Sequence, residues 1–360
     1  MEIVKLGSPG ELRDFYPSVY GKDPNFKDNK SSLLPLVCGR KSSFYQNSKQ
    51  EIIAVVHKGK RLCQCVLIRH KNAGATANIA FFEALPDSGG AVAHLLEYAE
   101  IWAAAEKCTR IIAGMDGHLN YSLGFSLENT APPSFGESYN PSYYTGYFSG
   151  FSEVRLSCFQ DEAPLVRQLV DDDCARIIGR CCQYSFEPAR INDRNLKRYT
   201  DLSNTIFEGH DFYFKREYQE DAELLGQMKL ILNRGALLFI KAGQTDIGLI
   251  FYYPDFNELV PPGRGFGILS AVKRHLHFNP ARVKMAEIGV LPEYQNKGVV
   301  TLAFQQAMNR TLKNYPGIKT IISSWIVDTN TKSSLFTRRY TKHKGGSFVV
   351  YEKNISGQTP

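Results

Sequence analysis

The chain has 360 residues and a formal net charge of +7, with 43% hydrophobic and 22% charged residues. This composition is typical of a soluble globular protein, and the length predicts two domains. Apolar runs stay shorter than the roughly 20 residues of a membrane span, and 1–6 lacks the features of a signal peptide. We therefore expect a cytoplasmic protein without a membrane partner.

The positive charge is modest for this length. Its densest clusters lie at 273–275 and 338–344. A nucleic-acid-binding protein is expected to concentrate Lys and Arg along one stripe. We interpret the clusters as solvated faces or contacts to an anionic cofactor, and expect no nucleic-acid partner.

The first half predicts a β-hairpin followed by a strand, a helix and another strand. The hairpin strands are Glu51–His57 and Leu62–Arg69, joined by a turn around Lys58-Gly59-Lys60. A strand ending at Ala84 leads into a helix at His94–Lys107, and Arg110–Ile112 is the next strand.

The eight cysteines include no Cys-x-x-Cys pair. Cys63 and Cys65 lie two residues apart on a predicted strand, so both thiols point to one face. We interpret the cysteines as buried thiols rather than disulfides or metal ligands, and predict no metal site.

The second half alternates strands and helices in the order β-α-α-β-β-β-α-β-α-β. Its predicted elements are strand Ser185–Ile191, helices Asn195–Phe207 and Asp221–Leu232, strands Ala236–Ala242, Ile247–Tyr253 and Met285–Leu291, helix Val299–Leu312, strand Ile318–Val327, helix Asn330–Tyr340 and strand Ser347–Lys353. This order predicts an α/β fold in which helices cover both faces of a mixed sheet.

Short stretches of the first half recur in the second half in the same order. The matching stretches are Ala84–Asp87 with Val290–Glu293, Arg110–Ile112 with Thr320–Ile322, and Asn120 with Asn330. A tandem duplication of one fold is the simplest explanation. We predict a first domain at 1–160, a linker at 161–184 and a second domain at 185–360.

The segment 287–300 is predicted to form a strand, a tight loop and the start of a helix. The first N–H groups of a helix lack intrahelical partners, and the helix dipole favours an anion there, so the loop predicts a phosphate site. The corresponding first-half loop, 86–92, has Asp87 and lacks the matching glutamine and glycine. We therefore predict that only the second half holds phosphate and that Gly89-Gly90 forms a turn.

The loop resembles motif A of the GNAT (GCN5-related N-acetyltransferase) superfamily of acyl-CoA N-acyltransferases, whose pattern is Gln/Arg-x-x-Gly-x-Gly/Ala. Gln295 and Gly298 match this pattern, while Val300 stands where the family prefers a small residue. Other stretches resemble an uncharacterised bacterial family with two tandem GNAT-like domains; they are 15–25, 79–83, 121–125, 139–151, 253–257, 324–326 and 351–353. The resemblance implies a tandem GNAT fold whose first domain is degenerate.

The resemblance also implies a site for acetyl-CoA or another acyl-CoA as donor substrate. The pyrophosphate would be held by the backbone N–H groups of Gln295, Asn296, Lys297, Gly298, Val299 and Val300. The Lys297 side chain would add a charge-assisted contact. The backbone of Ile288 and Val290 would pair with the pantetheine arm as an added strand does. Asn330 is either a CoA contact, an N-cap, or both.

Direct acyl transfer to an amine needs a base, a donor that polarises the thioester carbonyl, and an acid for the leaving thiolate. Glu287 is the predicted base, the alternative being a solvent-facing or paired carboxylate. The N–H of Val290 is the predicted donor. Thr337 stands at the family's usual tyrosine position, so Tyr340, one turn later, is either the acid or a half-buried aromatic residue.

Two residues are predicted to bind the acceptor. His210 lies in the aromatic run 207–218, and Arg264 lies in a Pro- and Gly-rich insertion. The predicted function is a CoA-dependent N-acyltransferase, with acetyl as the expected acyl group and a small or peptide-like amine as acceptor. The alternatives are a tandem transferase that uses aminoacyl-tRNA or an acyl carrier protein as donor, and a binding or regulatory protein that kept only the fold. The acceptor and the oligomeric state remain open.

Overall fold

The computed structural model describes residues 1–21, 23–129, 131–232, 236–267, 270–273 and 278–355. In these ranges the strands are β1 (Glu2–Lys5), β2 (Ser48–His57), β3 (Lys60–His70), β4 (Thr76–Ala84), β5 (Arg110–Ala113), β6 (Phe125–Ser126), β7 (Ser152–Glu162), β8 (Tyr184–Ala189), β9 (Leu237–Ala242), β10 (Thr245–Pro254), β11 (Arg282–Val290), β12 (Thr320–Ser323), β13 (Ile326–Val327) and β14 (His343–Asn354). The helices are α1 (Pro9–Arg13), α2 (Tyr16–Tyr20), α3 (Lys30–Cys38), α4 (Ser43–Gln46), α5 (Gly89–Ala105), α6 (Ala163–Ile177), α7 (Asp193–Ile206), α8 (Tyr218–Gln227), α9 (Lys229–Leu232), α10 (Val299–Asn314) and α11 (Thr331–Tyr340). Residues 274–275 of one predicted basic cluster lie outside the described residues.

All of these strands join one mixed sheet. Its order is β1-β2-β3-β4-β5-β14-β7-β12-β11-β10-β9-β8, with β6 beside β14 and β13 beside β7. Side chains alternate between the two faces along each strand. Leu238 and Ile240 of β9 lie in the cluster formed with α6 and α10, whereas Leu237 and Phe239 lie in the cluster formed with α7 and α8. Helices therefore cover both faces, which confirms the predicted fold class.

The two halves share one order of elements. The hairpin β2–β3, strand β4, helix α5 and strand β5 correspond to β9–β10, β11, α10 and β12. Each half has a parallel pair at the same place, β4 with β5 and β11 with β12. Parallel neighbours require a crossover, which the intervening helix supplies. The repetition confirms the predicted tandem arrangement.

The halves exchange their last strands. β14 lies between β5 of the first half and β7, whereas β7 lies between β14 and β12 of the second half. The predicted second domain, 185–360, thus supplies a strand to the first half of the sheet. The predicted domain boundaries stay a prediction, and each half is completed by a strand from the other.

Helix α6 occupies most of the predicted linker, 161–184. It lies against α10, where the Gln305 amide donates to Asp171 at 2.6 Å and the Cys174 thiol contacts the Thr301 carbonyl at 3.7 Å. The apolar positions of α10 recur every three or four residues and face this contact and the sheet. The segment between the halves therefore supports the helix that follows the predicted phosphate loop.

The predicted strand Ile318–Val327 is divided in two. β12 ends at Ser323, and the Ser324 N–H donates to the Met285 carbonyl at 2.9 Å as the last link to β11. The chain then turns, and β13 pairs with β7 instead. This break carries Trp325 to the cavity described below.

Seven of the eight cysteines are buried as predicted, whereas Cys182 is exposed. None of these eight cysteines forms a disulfide, and Cys63 and Cys65 are buried in one cluster with α5, which confirms that both thiols share a face. Among the described residues, no helix is long and apolar enough to cross a membrane.

Candidate active site

The parallel strands β11 and β12 pair at one end and diverge at the other. Their register runs from Arg282 opposite Thr320 to Met285 opposite Ser323. β11 continues five residues further to Val290 without β12 beside it. The gap opens into a cavity of about 630 Å³. This volume is within the usual range for a small-molecule site.

The backbone of β11 presents hydrogen-bonding groups to this gap. The Leu291 N–H donates to the Ile247 carbonyl at 2.8 Å, on the β10 side. N–H groups alternate sides along a strand, so those of Val290 and Ile288 point away from β10, toward the gap. These are the two residues predicted to pair with pantetheine.

The predicted phosphate loop lies at the end of the cavity. Asn296 and Gly298 both have positive φ, 60° and 80°, so the chain turns tightly before α10 begins at Val299. Within the described part of the chain, the N–H groups of the five residues 296–300 have no protein acceptor. Successive free N–H groups in such a turn, at a helix N-terminus, form an anion-binding concavity.

Side chains around the loop differ in their roles. Lys297 is exposed, does not line the cavity, and places its ammonium 5.4 Å from the Tyr294 ring centre. Val300 lines the cavity and is half-buried against the core of the second half. Its branched side chain therefore packs inward while its N–H remains free. Gln295 accepts from the Lys332 ammonium at 3.5 Å.

Glu287 lines the middle of the cavity and faces α7. Its Oε1 accepts from the Tyr199 hydroxyl at 2.5 Å and from the Asn120 amide at 3.3 Å. Its Oε2 is shielded from solvent and has no hydrogen-bond partner among the described residues. Desolvation raises the pKa of Glu287, opposed by the charge of Arg216 and by these hydrogen bonds. The carboxylate thus has one oxygen fixed and one free, with a pKa shifted in the direction that a general base requires.

Arg216 lies beneath this carboxylate and is only 5% exposed. Its guanidinium lies 5.3 Å from the Tyr199 ring centre and forms an ion pair with Asp221 at 3.4 Å. The Thr200 hydroxyl donates to the same aspartate at 2.6 Å. Arg216 does not line the cavity, so it acts on Glu287 through the field of a buried cation.

Tyr340 lies at the α10 side of the cavity. Its hydroxyl donates to Asp173 of α6 at 2.9 Å and lies 3.4 Å from the Thr301 hydroxyl. Burial raises the pKa of Tyr340 to about 12. The hydroxyl proton is therefore directed to a carboxylate, and the acid role of Tyr340 stays a prediction.

The remaining predicted residues are divided between the cavity and the surface. Asn330 lines the cavity and caps α11, since its side chain accepts from the Ser333 N–H at 3.1 Å. His210 lies at the rim, where partial desolvation lowers its pKa and the charge of Asp211 opposes that shift. Arg264 is exposed and does not line the cavity. Its carbonyl instead accepts from the Asp28 N–H at 3.0 Å, which holds the insertion against the first half.

Of the predicted site residues, the cavity therefore brings together all but Lys297 and Arg264. Sequence reasoning missed Asn120, Tyr199, Arg216 and Asp173 as neighbours of the site. Asn120 had a signal, since it matched Asn330 in the repeat, but its contact with Glu287 crosses between the halves.

The corresponding gap of the first half is filled by its own chain. A 3₁₀ helix, Ser142–Phe148, places tyrosine hydroxyls on the free edge of β4 and the following loop. The hydroxyl of Tyr144 accepts from the Ala84 N–H at 2.8 Å, and that of Tyr147 donates to the Leu85 carbonyl at 2.7 Å. These contacts use the backbone groups that correspond to the open edge of β11.

The solved structures that are similar to nearly the whole chain include the following three. The tandem GNAT protein from the clavulanic acid biosynthesis pathway has a TM-score of 0.55 and 10% identity, covering 99% of this chain and 98% of that chain. A GCN5-related N-acetyltransferase from Sphaerobacter thermophilus has a TM-score of 0.53 and 8% identity, covering 98% and 96%. A probable N-acyltransferase of unknown function from Enterococcus faecalis V583 has a TM-score of 0.55 and 8% identity, covering 99% and 73%.

No protein-family model matches the sequence, and no curated protein matches it. At these identities the structural likeness concerns the fold. The chain has the tandem GNAT fold, as the sequence resemblance implied.

Proposed function

We propose that the protein is a CoA-dependent N-acyltransferase whose active site is the cavity between β11 and β12. The observation that carries this proposal is the pairing of two features in one cavity. The free N–H groups of 296–300 suit a pyrophosphate, and the Glu287 carboxylate suits an amine. The open backbone edge at Ile288 and Val290 runs between them and suits the pantetheine arm.

Donor binding would use backbone rather than charged side chains. Five N–H groups at the start of α10 offer charge-assisted hydrogen bonds to phosphate oxygens, each stronger than a neutral one. The positive φ of Gly298 lets the backbone approach the phosphates without a Cβ. The N–H of Val290 points into the gap and would polarise the thioester carbonyl, because it can bond the oxyanion that forms.

Glu287 would take the proton of the attacking amine, directly or through one water. The amine nitrogen then bonds to the acyl carbon, the carbon–sulfur bond breaks, and the thiolate leaves with the electron pair. Tyr199 and Asn120 are positioning residues, since both bond the same oxygen of Glu287 and leave the other free. Tyr340 stays the predicted acid for the thiolate.

Two measurements test this proposal. Calorimetry with CoA should give measurable binding, and acetyl-CoA with an amine panel should release thiol. Glu287→Gln should lower kcat/KM by a factor of about 10²–10⁴, the usual contribution of a general base, while CoA binding persists. Absence of heat at millimolar CoA would contradict the donor site.

A matched control is available in the first half. Glu83 is a buried carboxylate on β4, bonded by the hydroxyls of Tyr20 and Tyr144 at 2.7 and 2.6 Å, and it lies outside the cavity. Glu83→Gln should lower thermal stability but keep kcat/KM within a few fold below the melting transition. CoA binding without turnover across a broad panel would instead favour a regulatory protein.

A further inference from the structure

The wall that faces Glu287 is built from both halves of the chain. Leu119 and Asn120 come from the loop after β5, the segment 206–213 from the connection between α7 and α8, and Trp325 from the break between β12 and β13. Glu287 faces this wall because it contacts Tyr199 of α7. An amine that reaches Glu287 therefore lies against these residues, while the donor occupies the α10 side.

This wall is mainly apolar. Its apolar side chains are Leu119, Ile206, Phe207, Tyr213, Trp325 and Ile326, beside the polar Asn120, His210 and Asp211. When an apolar ligand covers these side chains, binding is stabilised by roughly 25 cal/mol for each Å² of apolar surface removed from water. Such a surface favours an acceptor whose amine is attached to an aromatic or aliphatic group.

The charges at the wall are negative. Asp211 and Glu287 line the cavity, and partial desolvation lowers the pKa of His210 beside them. Among the described residues that line the cavity, there is no arginine, and Lys332 is the only lysine. Lys332 bonds Gln295 of the phosphate loop at 3.5 Å, which directs its ammonium to the donor end, although its charge also reaches His210 at the rim.

Cations near the wall are engaged elsewhere. Arg216 is buried behind Tyr199 and pairs with Asp221, while Lys215 pairs with Glu208 at 2.8 Å. A carboxylate or phosphate on the acceptor would therefore meet two carboxylates without a partner cation. An arriving ammonium group would instead be attracted to them.

We infer that the acceptor is a small hydrophobic primary amine without an anionic group beside the amine, such as an arylalkylamine. This inference rests on the proposed function and specifies its acceptor. It does not use Arg264, which was predicted to bind the acceptor, because Arg264 lies outside the cavity.

The test compares two acceptors that share a ring, a side-chain length and an amine. Phenethylamine and L-phenylalanine differ by one carboxylate, and ethanolamine serves as the small polar comparison. With acetyl-CoA, kcat/KM for phenethylamine should exceed both others by roughly tenfold or more, equivalent to about 1.4 kcal/mol. The carboxylate lowers the basicity of the amine, which would favour L-phenylalanine if the wall were indifferent to charge.

Variants connect the preference to the wall. Asp211→Asn should lower the ratio of kcat/KM for phenethylamine to kcat/KM for L-phenylalanine. Phe207→Ala should lower the ratio of kcat/KM for phenethylamine to kcat/KM for ethanolamine. Asp201→Asn, an exposed carboxylate of α7 outside the cavity, should leave both ratios unchanged.

Equal or greater activity with L-phenylalanine or ethanolamine would overturn the inference and leave the acyltransferase proposal intact. Turnover of none of the three amines, with CoA still bound, would also overturn the inference. Failure to bind CoA would overturn the proposed function itself.

Discussion

The substitution Gly298→Ala tests whether the phosphate loop acts through its backbone. Gly298 has a φ of 80°, where an alanine costs roughly 1–2 kcal/mol. An added Cβ would also lie 2.9 Å from Cδ1 of Ile177, the flexible end of a side chain that can move. We therefore expect the free energy of unfolding to fall by roughly 1–2 kcal/mol, mostly from backbone strain.

The effect on CoA affinity should be separable from this loss. A shifted loop that loses one charge-assisted N–H bond to phosphate loses about 1.5–3 kcal/mol of binding free energy. Calorimetry should accordingly show Kd rising by roughly tenfold to a hundredfold, since 1.4 kcal/mol is a factor of ten.

Gly243→Ala is the matched control. Gly243 lies in the β9–β10 turn with a φ of 59°, and an added Cβ there has no atom within 4 Å. It should show a similar stability loss in urea unfolding with CoA affinity unchanged. If Gly298→Ala bound CoA as tightly as the wild type while losing stability, the loop would not be the phosphate site.

Three further predictions concern the carboxylate and the tyrosine. Asn120→Ala removes a donor to Glu287, so the acid limb of the pH profile of kcat/KM should move to higher pH; an unmoved limb would show that Asn120 acts only in packing. Because the pKa of Glu287 is raised in the folded state, stability is lost as pH rises through that value. Glu287→Gln should therefore unfold at higher urea than the wild type at pH 7, with the difference vanishing near pH 4, and a lower midpoint at pH 7 would contradict this reasoning. Tyr340→Phe removes the proposed acid and its bond to Asp173, so kcat should fall by roughly a hundredfold with normal CoA binding and about 1 kcal/mol less stability; an unchanged kcat would show that Tyr340 acts only in packing.

Local patterns accounted for much of the fold. The repeated order of hairpin, strand, helix and strand was visible because apolar periodicity and turn residues are local signals. The turn between β2 and β3 was predicted from its turn residues. In the structure, Lys58 and Gly59 both adopt positive φ, 50° and 75°, as a tight hairpin turn requires. The loop at 295–300 could be proposed as a phosphate site from sequence because its glycine and the helix behind it lie within a few residues, and its role stays a prediction.

Features that depend on contacts between distant segments of the chain could not be predicted from the sequence. The exchange of β7 and β14 depends on which edges remain open in the folded sheet. The short helices α1 to α4 lack a sustained amphipathic period, and α3 contains Pro35. Asn120 and Tyr199 meet Glu287 only after the halves pack together. Arg264 was placed at the site because of its insertion, but backbone bonding to Asp28 holds it elsewhere.

The exchange of β7 and β14 has a consequence for biosynthesis. During translation, β1 to β5 emerge early, yet the edge of β5 stays unpaired until β14 has been synthesised, more than two hundred residues later. Pairing between such distant segments is slow, and unpaired strand edges favour aggregation. The nascent first half therefore keeps an unpaired strand edge for as long as the synthesis of 114–343 takes, and a ribosome that stalls before 343 would leave both halves open.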